Sequence, residues 1–308
     1  VRIMKSNSIP TLQNGKSQIR LLRAQRHIYG RAKTVSVCQF VLTTVVPLAG
    51  AFSTLALPDA KAFVAFFALA IAIADIAFLD RLQKRLLVAA ARVQEQFDCA
   101  VLELPWNQFT AGQQLEPEAI HEASSDYAKK HGDESLIDWY PPVVGDAPLH
   151  LARIVCQRTN LWYDSKVRRH YGTLLMVIAV ALSVALIVIG MLGGLTMTTF
   201  VLVVMAPAAP FFSWAFREYH RQRDAADALD RIRSEAEALW ARAKRGECAS
   251  DECEAQSREF QNAIFNRRAS SPPIFGWVYW LLRQRNEDQM KEGAAEMVKS
   301  IPNLERPA

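Results

Sequence analysis

Apolar residues are concentrated in four blocks of this chain, whereas the stretches between the blocks are rich in arginine, glutamine and acidic residues. The blocks are residues 35–57, 62–79, 172–192 and 195–216. A helix that rises about 1.5 Å per residue needs about 20 apolar residues to cross a bilayer core of about 30 Å. All four blocks reach or approach that length, and Asp75 is the only charged residue inside them. The pattern therefore predicts four membrane-spanning helices in two hairpins.

Four helices buried in the core of a soluble protein are the alternative interpretation of these blocks. The overall composition does not decide between the two, because a chain that is 51% hydrophobic can be either soluble or membrane-embedded. Helices of globular proteins usually carry a polar face, and these blocks have none. An integral membrane protein is therefore the prediction.

The orientation in the membrane follows from the basic residues that flank the blocks. They are Arg20, Arg23, Arg26, Arg31 and Lys33 before the first block, Arg81, Lys84 and Arg85 after the second, Lys166, Arg168 and Arg169 before the third, and Arg217, Arg221 and Arg223 after the fourth. The two hairpin connections, residues 57–61 and 193–194, contain a single basic residue, Lys61. Because basic residues are retained on the cytoplasmic side, both termini and the long central segment are predicted to be cytoplasmic.

The segments outside the blocks also have helical periodicity. Apolar residues recur at steps of three and four after the second block and after the fourth, so both spans are predicted to continue as long cytoplasmic helices. Two further helices are predicted at about residues 252–268 and 275–298. The predicted fold class is an all-α integral membrane protein. Its predicted segments are a basic N-terminal helix (1–33), a first transmembrane hairpin (34–80), a cytoplasmic helical domain (81–170), a second hairpin (171–216) and C-terminal cytoplasmic helices (217–308).

Catalytic and metal-binding motifs do not occur in the sequence. There is no glycine-rich phosphate loop, no GxSxG, no HExxH and no CxxC pair, and the six histidines lack ligand spacing. The five cysteines form no pattern of a disulfide framework. We therefore expect no enzymatic activity, no bound metal and no resident cofactor.

A stretch next to the third block is unusual because it combines aromatic, basic and amide residues. Its candidate ligand-binding residues are Trp139, Tyr140, Arg153, Gln157, Arg158, Asn160, Trp162, Tyr163 and Asp164. Arginine binds phosphate bidentately, aromatic rings stack on bases, and amides contact base edges. These are the interactions that a nucleotide-like ligand requires. The alternative is that the aromatic residues form an interfacial belt and that Arg168 and Arg169 only fix the topology.

Two other patches leave similar alternatives open. The sequence LLRAQRHIY at residues 21–29 fits an amphipathic helix on anionic lipid, and it also fits one wall of a pocket. The sequence FNRRASSPPIFGW at residues 265–277 fits a packed connection between helices, and it also fits an anion site.

Four segments together resemble the S-4TM family, the four-transmembrane effectors associated with bacterial nucleotidyltransferase defence operons. The segments are LLRAQRHIY (21–29), DWYPPVV (138–144), CQRTNLWYDS (156–165) and RRASSP (267–272). They occur in order, and the resemblance covers about residues 18–298, including the two-hairpin layout. Tyr163 stands where the family pattern has a second tryptophan.

The resemblance implies a CBASS-type effector of the bacterial inner membrane that protects against phage. A partner nucleotidyltransferase makes a cyclic di- or oligonucleotide, which binds the cytoplasmic part as the activating ligand. The effector then acts as a homo-oligomer that permeabilises the lipid bilayer, with growth arrest or cell death as the outcome. DNA and RNA are not expected partners. A membrane-anchored scaffold or signalling subunit without pore activity is the alternative.

Overall fold

The computed structural model describes residues 7–56 and 58–302. Leu57 of the first hairpin connection lies outside the described residues, as do the outer ends of the predicted segments 1–33 and 217–308. The described part of the chain consists of helices and their connections and contains no strand. The predicted all-α fold is therefore confirmed.

The α-helices of the described part follow one another with short connections. They are α1 (Ile9–Leu12), α2 (Lys16–Phe40), α3 (Val46–Ala56), α4 (Lys61–Ala74), α5 (Asp80–Val101), α6 (Gln108–Ala111), α7 (Pro117–Ala128), α8 (Leu149–Leu192), α9 (Met197–Phe200), α10 (Ala206–Lys244), α11 (Ser250–Ser270) and α12 (Gly276–Lys299). The predicted helices at residues 252–268 and 275–298 correspond to α11 and α12. Short 3₁₀ turns occur at Pro58–Ala60 and Pro142–Asp146.

Four continuous helices are long and apolar enough to cross a membrane. They are Lys16–Gly50, Ala62–Val101, Leu149–Leu192 and Met197–Lys244, and they contain 35, 40, 44 and 48 residues. Each is much longer than the about 20 residues that a bilayer core requires, so each also projects out of the membrane. The chain is therefore a multi-pass membrane protein, and the predicted extension of the second and fourth spans is confirmed.

Wider π-helical turns interrupt three of these helices, and two of the turns lie just before prolines. The turn Val41–Val45 precedes Pro47, and the turn Val201–Met205 precedes Pro207. Proline has no backbone N–H, and its ring collides with the carbonyl group four residues earlier. A π turn changes the hydrogen-bonding pattern at that position, so the helix continues across the proline. The third turn, Asp75–Leu79, includes the charged residue of the second span.

The four spans pack as a row. Within the membrane segment, α3 packs on α4 and on α10, and α10 packs on α8. The order of the spans is therefore α4, α3, α10, α8. Contacts between the two end helices, α4 and α8, are not among the substantial packing contacts of the described residues. A single row of this kind encloses no path across the bilayer.

The helical domain consists of the parts of the chain outside the spans. It contains α1, the first half of α2, α5 to α7, the first half of α8, the second half of α10, and α11 and α12. Its core is formed by large side chains from several helices, including Phe97, Tyr140, Ile154 and Leu239, all at most 2% exposed. Burial of these apolar surfaces provides most of the free energy that holds the long helices together.

A buried network of charged residues fixes α11 onto α5. Glu95 and Asp98 of α5 are at most 1% exposed. Arg258 donates to Glu95 at 2.5 Å, and Arg268 pairs with Asp98. Gln261 Nε2 donates to both carboxylates, at 2.8 and 2.9 Å. Buried carboxylates need such partners because an uncompensated charge is expensive in a low-dielectric interior.

Candidate functional site

A cavity of about 780 Å³ lies where the helical domain meets the membrane. Its walls come from α2, α8, the segment around Trp139 and residues 271–275, which connect α11 to α12 and which we call the elbow. Lys33 and Arg168, at the membrane end of the cavity, lie just before the first and third apolar blocks. Pockets for small molecules and cofactors have volumes of about 300–1,000 Å³, so this cavity is large enough for a ligand.

The cavity wall carries an excess of positive charge. Five basic residues line it, Arg26, Lys33, Lys130, Arg168 and Arg268, against the two carboxylates Glu134 and Asp164. Walls of one sign in a partly enclosed site concentrate the field and raise the local concentration of an oppositely charged ligand. The cavity therefore favours an anion.

Burial, together with the charges of these cations, changes the ionisation of two residues of the site. Burial and, to a smaller extent, the neighbouring positive charges of Arg26 and Arg168 lower the pKa of Lys33 to about 8, against the opposing effect of Asp164. Burial also raises the pKa of Tyr29 to about 12, so this phenol is neutral at physiological pH. Bound negative charge would relieve the repulsion between the cations, and the site therefore favours a polyanion.

Aromatic rings provide the second property of the cavity. Tyr29, Tyr127, Trp139 and Tyr163 all line it. The Trp139 ring is fixed by an edge-to-face contact with Phe97 (ring centroids 6.1 Å apart), and Arg26 Cζ lies 5.3 Å from its centroid. Rings held in this way can stack on planar heterocycles.

Polar atoms without partners provide the third property. Gln25 is 5% exposed, and its Nε2 donates to Gln94 Oε1 at 3.2 Å. Its Oε1 atom and the Trp139 Nε1 atom are buried and have no hydrogen-bond partner among the residues that the structure describes. Leaving a buried donor or acceptor unpaired costs about 1–3 kcal/mol. Gln25 and Trp139 both line the cavity, so these two atoms lie within its wall.

Four of the nine candidate residues from the sequence line this cavity. They are Trp139, Asn160, Tyr163 and Asp164. Asn160 Nδ2 donates to the Tyr140 hydroxyl at 3.2 Å, which fixes the amide in the wall. Asp164 accepts from Arg168 Nε at 3.1 Å. Asn160, Tyr163 and Asp164 come together because steps of three and four along α8 place them on one side of the helix, whereas Trp139 comes from the segment before α8.

Arg153 and Gln157 lie away from the cavity. Arg153 is 4% exposed and donates to the carbonyl oxygens of Leu102 and Glu103, at 2.6 and 2.7 Å, and to Glu254 at 2.7 Å. It therefore caps the end of α5 and ties it to α11. Gln157 is fully buried, and its Nε2 donates to the Ser257 carbonyl at 2.8 Å.

Tyr140, Arg158 and Trp162 also lie outside the cavity wall. The Tyr140 hydroxyl donates to Asp98 Oδ1 at 2.7 Å within the core. Arg158 donates to Glu237 of α10 at 2.9 Å. The Trp162 ring lies beneath the Lys166 ammonium group, 4.7 Å from its centroid.

Several cavity residues were not among the sequence candidates, notably Gln25, Tyr29, Lys33, Arg168 and Arg268. The two patches that the sequence left open, residues 21–29 and 265–277, both contribute to the cavity wall. The available signal was the four-residue step from Gln25 to Tyr29 to Lys33, which places all three on one face of α2.

Arg168 joins the cavity to the elbow. Its Nη1 atom donates to the Pro272 carbonyl oxygen at 3.0 Å and to Gln222 Oε1 of α10 at 2.8 Å. Pro272 and Pro273 line both this cavity and a second one of about 290 Å³ between the membrane ends of the spans. The elbow is therefore a wall shared by the two cavities.

Aromatic side chains connect the elbow to three of the spans. Phe275 stacks on Trp214 of α10 (ring centroids 6.0 Å apart, interplanar angle 14°). Its centroid is also 6.0 Å from Phe40 of α2 and 6.0 Å from Tyr171 of α8. Phe40 and Trp214 are 4.3 Å apart. We call Phe40, Tyr171, Trp214 and Phe275 the aromatic cluster.

A polar network on the first two spans lines the second cavity. Gln39 Nε2 donates to Asp75 Oδ1 at 2.7 Å, and Gln83 Nε2 donates to Gln39 Oε1 at 2.8 Å and to Ser36 Oγ at 2.6 Å. Polar side chains at the edge of a bilayer need such partners. Among the described residues, no group of three or more His, Cys, Asp or Glu side chains is arranged to hold a metal ion.

These features define a class: a multi-pass membrane protein whose helical domain carries a cavity lined by basic and aromatic residues directly beside its spans. The model of the SMODS-associating 4TM effector domain matches residues 7–297, and the chain belongs to this family. The chain is also similar to a probable CBASS effector molecule of Bacillus cereus (strain VD146). The two are 24% identical over 284 residues, which cover 90% of this chain and 94% of the relative. No solved structure matches the chain.

Proposed function

We propose that this protein is a CBASS effector of the bacterial inner membrane that binds a cyclic oligonucleotide and then permeabilises the bilayer. The cavity beside the spans carries the proposal, since it combines excess positive charge, aromatic rings and unpaired buried polar atoms. Family membership and the name of the Bacillus cereus relative support the defence role. The activating nucleotide comes from a linked nucleotidyltransferase.

Each chemical part of a cyclic oligonucleotide has a counterpart in the cavity. Lys33 and Arg168 bind the phosphates by charge-assisted hydrogen bonds. Trp139 and Tyr163 contact the bases through their rings. Arg153, Gln157, Arg158, Tyr140 and Trp162 support the site by packing and by their own ion pairs.

Binding reaches the spans through the elbow. A phosphate near Arg168 competes for the guanidinium that now donates to Pro272. Loss of the hydrogen bond to the Pro272 carbonyl oxygen loosens the elbow, and Phe275 is then held less firmly between the first, third and fourth spans. A ligand shifts an equilibrium only by its differential affinity for the two arrangements, and competition for Arg168 provides that difference.

Permeabilisation requires more than one chain. A row of four spans encloses no path across the bilayer, so several copies must contribute spans to the active state. The active form is therefore a homo-oligomer in the lipid bilayer. Both termini and the helical domain are cytoplasmic, as the basic flanks of the spans indicate.

Calorimetric titration of the detergent-solubilised protein with cyclic di- and trinucleotides tests the binding step. We expect at least one of them to bind in the micromolar range or tighter. The Lys33→Ala variant should bind it at least about tenfold more weakly, because a charge-assisted hydrogen bond contributes about 1.5–3 kcal/mol. Binding that is equal in the variant and the wild type would exclude this cavity as the site.

A further inference from the structure

Two matched sets of side chains face the cavity from different helices. Gln25, Tyr29 and Lys33 follow one another at intervals of four residues on α2. Asn160, Asp164 and Arg168 follow one another at the same interval on α8. All six residues line the cavity. Each set extends over eight residues, a length of about 12 Å along a helix.

Both sets have the same polarity relative to the membrane. The chain runs toward the first span from Gln25 to Lys33 and toward the third span from Asn160 to Arg168. The cavity therefore has an amide end, Gln25 and Asn160, which is far from the membrane. It also has a cationic end, Lys33 and Arg168, which is next to the membrane.

The amide end consists of two side-chain amides whose positions are fixed by the protein. Gln25 is held by Gln94, and Asn160 is held by the Tyr140 hydroxyl. Gln25 Oε1 is buried and unpaired among the described residues, as is the nearby Trp139 Nε1. Side-chain amides that are fixed in this way distinguish base edges by hydrogen bonds.

The cationic end has different chemistry. An ammonium and a guanidinium group bind phosphate oxygens regardless of the attached base. The same Arg168 donates to the Pro272 carbonyl, so the ligand phosphate meets the elbow at this end. Recognition of the base and contact with the spans are thus separated along the axis of the cavity.

We infer that a cyclic oligonucleotide binds in one orientation, with a base at Gln25 and Asn160 and a phosphate at Lys33 and Arg168. Gln25 and Asn160 then determine which nucleotide activates the protein. This inference rests on the proposed function, since it assumes that a cyclic oligonucleotide is the ligand. It adds the specificity determinants and the direction of binding.

The test is a matrix of affinities for the purified full chain, measured by calorimetry. The ligands are cyclic di- and trinucleotides that differ only in their bases, and the proteins are wild type, Gln25→Leu, Lys33→Ala and the control Gln113→Leu. Gln113 is exposed and lies outside the cavity wall.

Gln25→Leu should reduce the ratio between the strongest and weakest ligand by about tenfold or more, because a base contact contributes that much discrimination. Lys33→Ala should weaken all ligands by a similar factor and leave the ratio unchanged. It should also make the slope of log affinity against log salt concentration shallower, by the amount that corresponds to about one phosphate contact. Gln113→Leu should match the wild type.

The outcomes separate this inference from the proposed function. If the wild type binds no cyclic oligonucleotide, the proposed function is wrong. If it binds them but Gln25→Leu leaves the affinity ratio unchanged, the orientation is wrong and the function stands. If Gln25→Leu does not fold, the same comparison is made with wild-type protein and Asn160→Ser. Equal affinities of the wild type for all bases would also overturn the inference.

Discussion

Arg168 Nη1 lies 3.0 Å from the carbonyl oxygen of Pro272, so a residue that lines the large cavity holds the connection between α11 and α12. Arg168 is 7% exposed, and it also contacts Gln222 of α10 and Asp164 of its own helix. The guanidinium thus joins four parts of the molecule: the cavity, the elbow, the third span and the fourth span. In the proposed mechanism this is the point where an anionic ligand changes the packing of the spans.

The aromatic cluster predicts a variant in which permeabilisation is easier to trigger. Phe275 packs against Trp214, Phe40 and Tyr171, and these contacts stabilise an arrangement that encloses no path across the bilayer. Phe275→Ala should therefore increase leakage without ligand and lower the ligand concentration for half-maximal dye release by about tenfold, since 1.4 kcal/mol corresponds to a factor of ten.

Trp277→Ala is the matched control for this prediction. Trp277 lies two residues after Phe275, in the first turn of α12, but it is 55% exposed and stands outside the aromatic cluster. Its substitution should leave both the dose-response curve and the affinity measured by calorimetry unchanged. The affinity of Phe275→Ala should rise together with its sensitivity, because a change that favours the ligand-preferred arrangement also tightens binding. A Phe275→Ala protein with wild-type leakage and sensitivity would show that the elbow does not restrain the spans.

Affinity should depend on pH through Lys33. Burial and the charges of Arg26 and Arg168 depress its pKa to about 8, and a bound phosphate raises the pKa again. Below about pH 8 the amine is charged in both states, so affinity is constant there. Above about pH 8 the Lys33 amine is neutral in the free protein and must take up a proton when the ligand binds, so affinity falls by up to about tenfold per pH unit.

Lys33→Arg is the control, because arginine remains protonated throughout this range. Its affinity should be constant from about pH 7 to 10, as measured by the same calorimetric titration. Wild-type affinity that is equally constant would mean that Lys33 does not contact the ligand.

The buried pair of Asp98 and Arg268 should dominate the stability of the helical domain. Asp98 is fully buried, and it accepts hydrogen bonds from Tyr140 and Gln261 in addition to its ion pair. Asp98→Asn leaves the Arg268 charge uncompensated and should destabilise the domain by about 3–5 kcal/mol. Thermal unfolding in detergent micelles measures this as a lower Tm. The exposed pair of Arg245 and Glu247 gives the comparison, because Glu247→Gln should leave the Tm unchanged.

The topology predicts different labelling of the two ends of the spans. Asp59 lies in the exposed turn between the first two spans, and Asp251 lies at the start of α11. In a Cys38→Ser background, Asp59→Cys should react with a membrane-impermeant maleimide in intact spheroplasts. Asp251→Cys should react only after lysis. The reverse pattern would contradict cytoplasmic termini.

The spans and long helices could be predicted from sequence because their signals are local. A block of about 20 apolar residues and a step of three to four residues are visible without knowledge of any distant contact. The division into segments at residues 33, 80, 170 and 216 stays a prediction, since the helices run through those positions without a break.

The cavity could be predicted only in part, because tertiary contacts with distant parts of the chain determine which residues line it. Arg153 and Arg168 are both arginines on α8, yet one caps the end of α5 and the other faces the cavity. What separates them is the position of the Leu102 carbonyl and of the elbow, and neither position is encoded near α8 in the sequence. Local composition indicated the ligand class and could not select between such arginines.

Dye release from liposomes that contain the purified protein, titrated with a panel of cyclic di- and trinucleotides, tests the central claim most directly. We expect release at low concentration of at least one ligand, little release without ligand, and a shift to higher concentrations for Lys33→Ala. Correct insertion is verified beforehand by protease protection. If the correctly inserted wild-type protein releases no dye with any nucleotide of the panel, this would contradict the account and favour a membrane scaffold without pore activity.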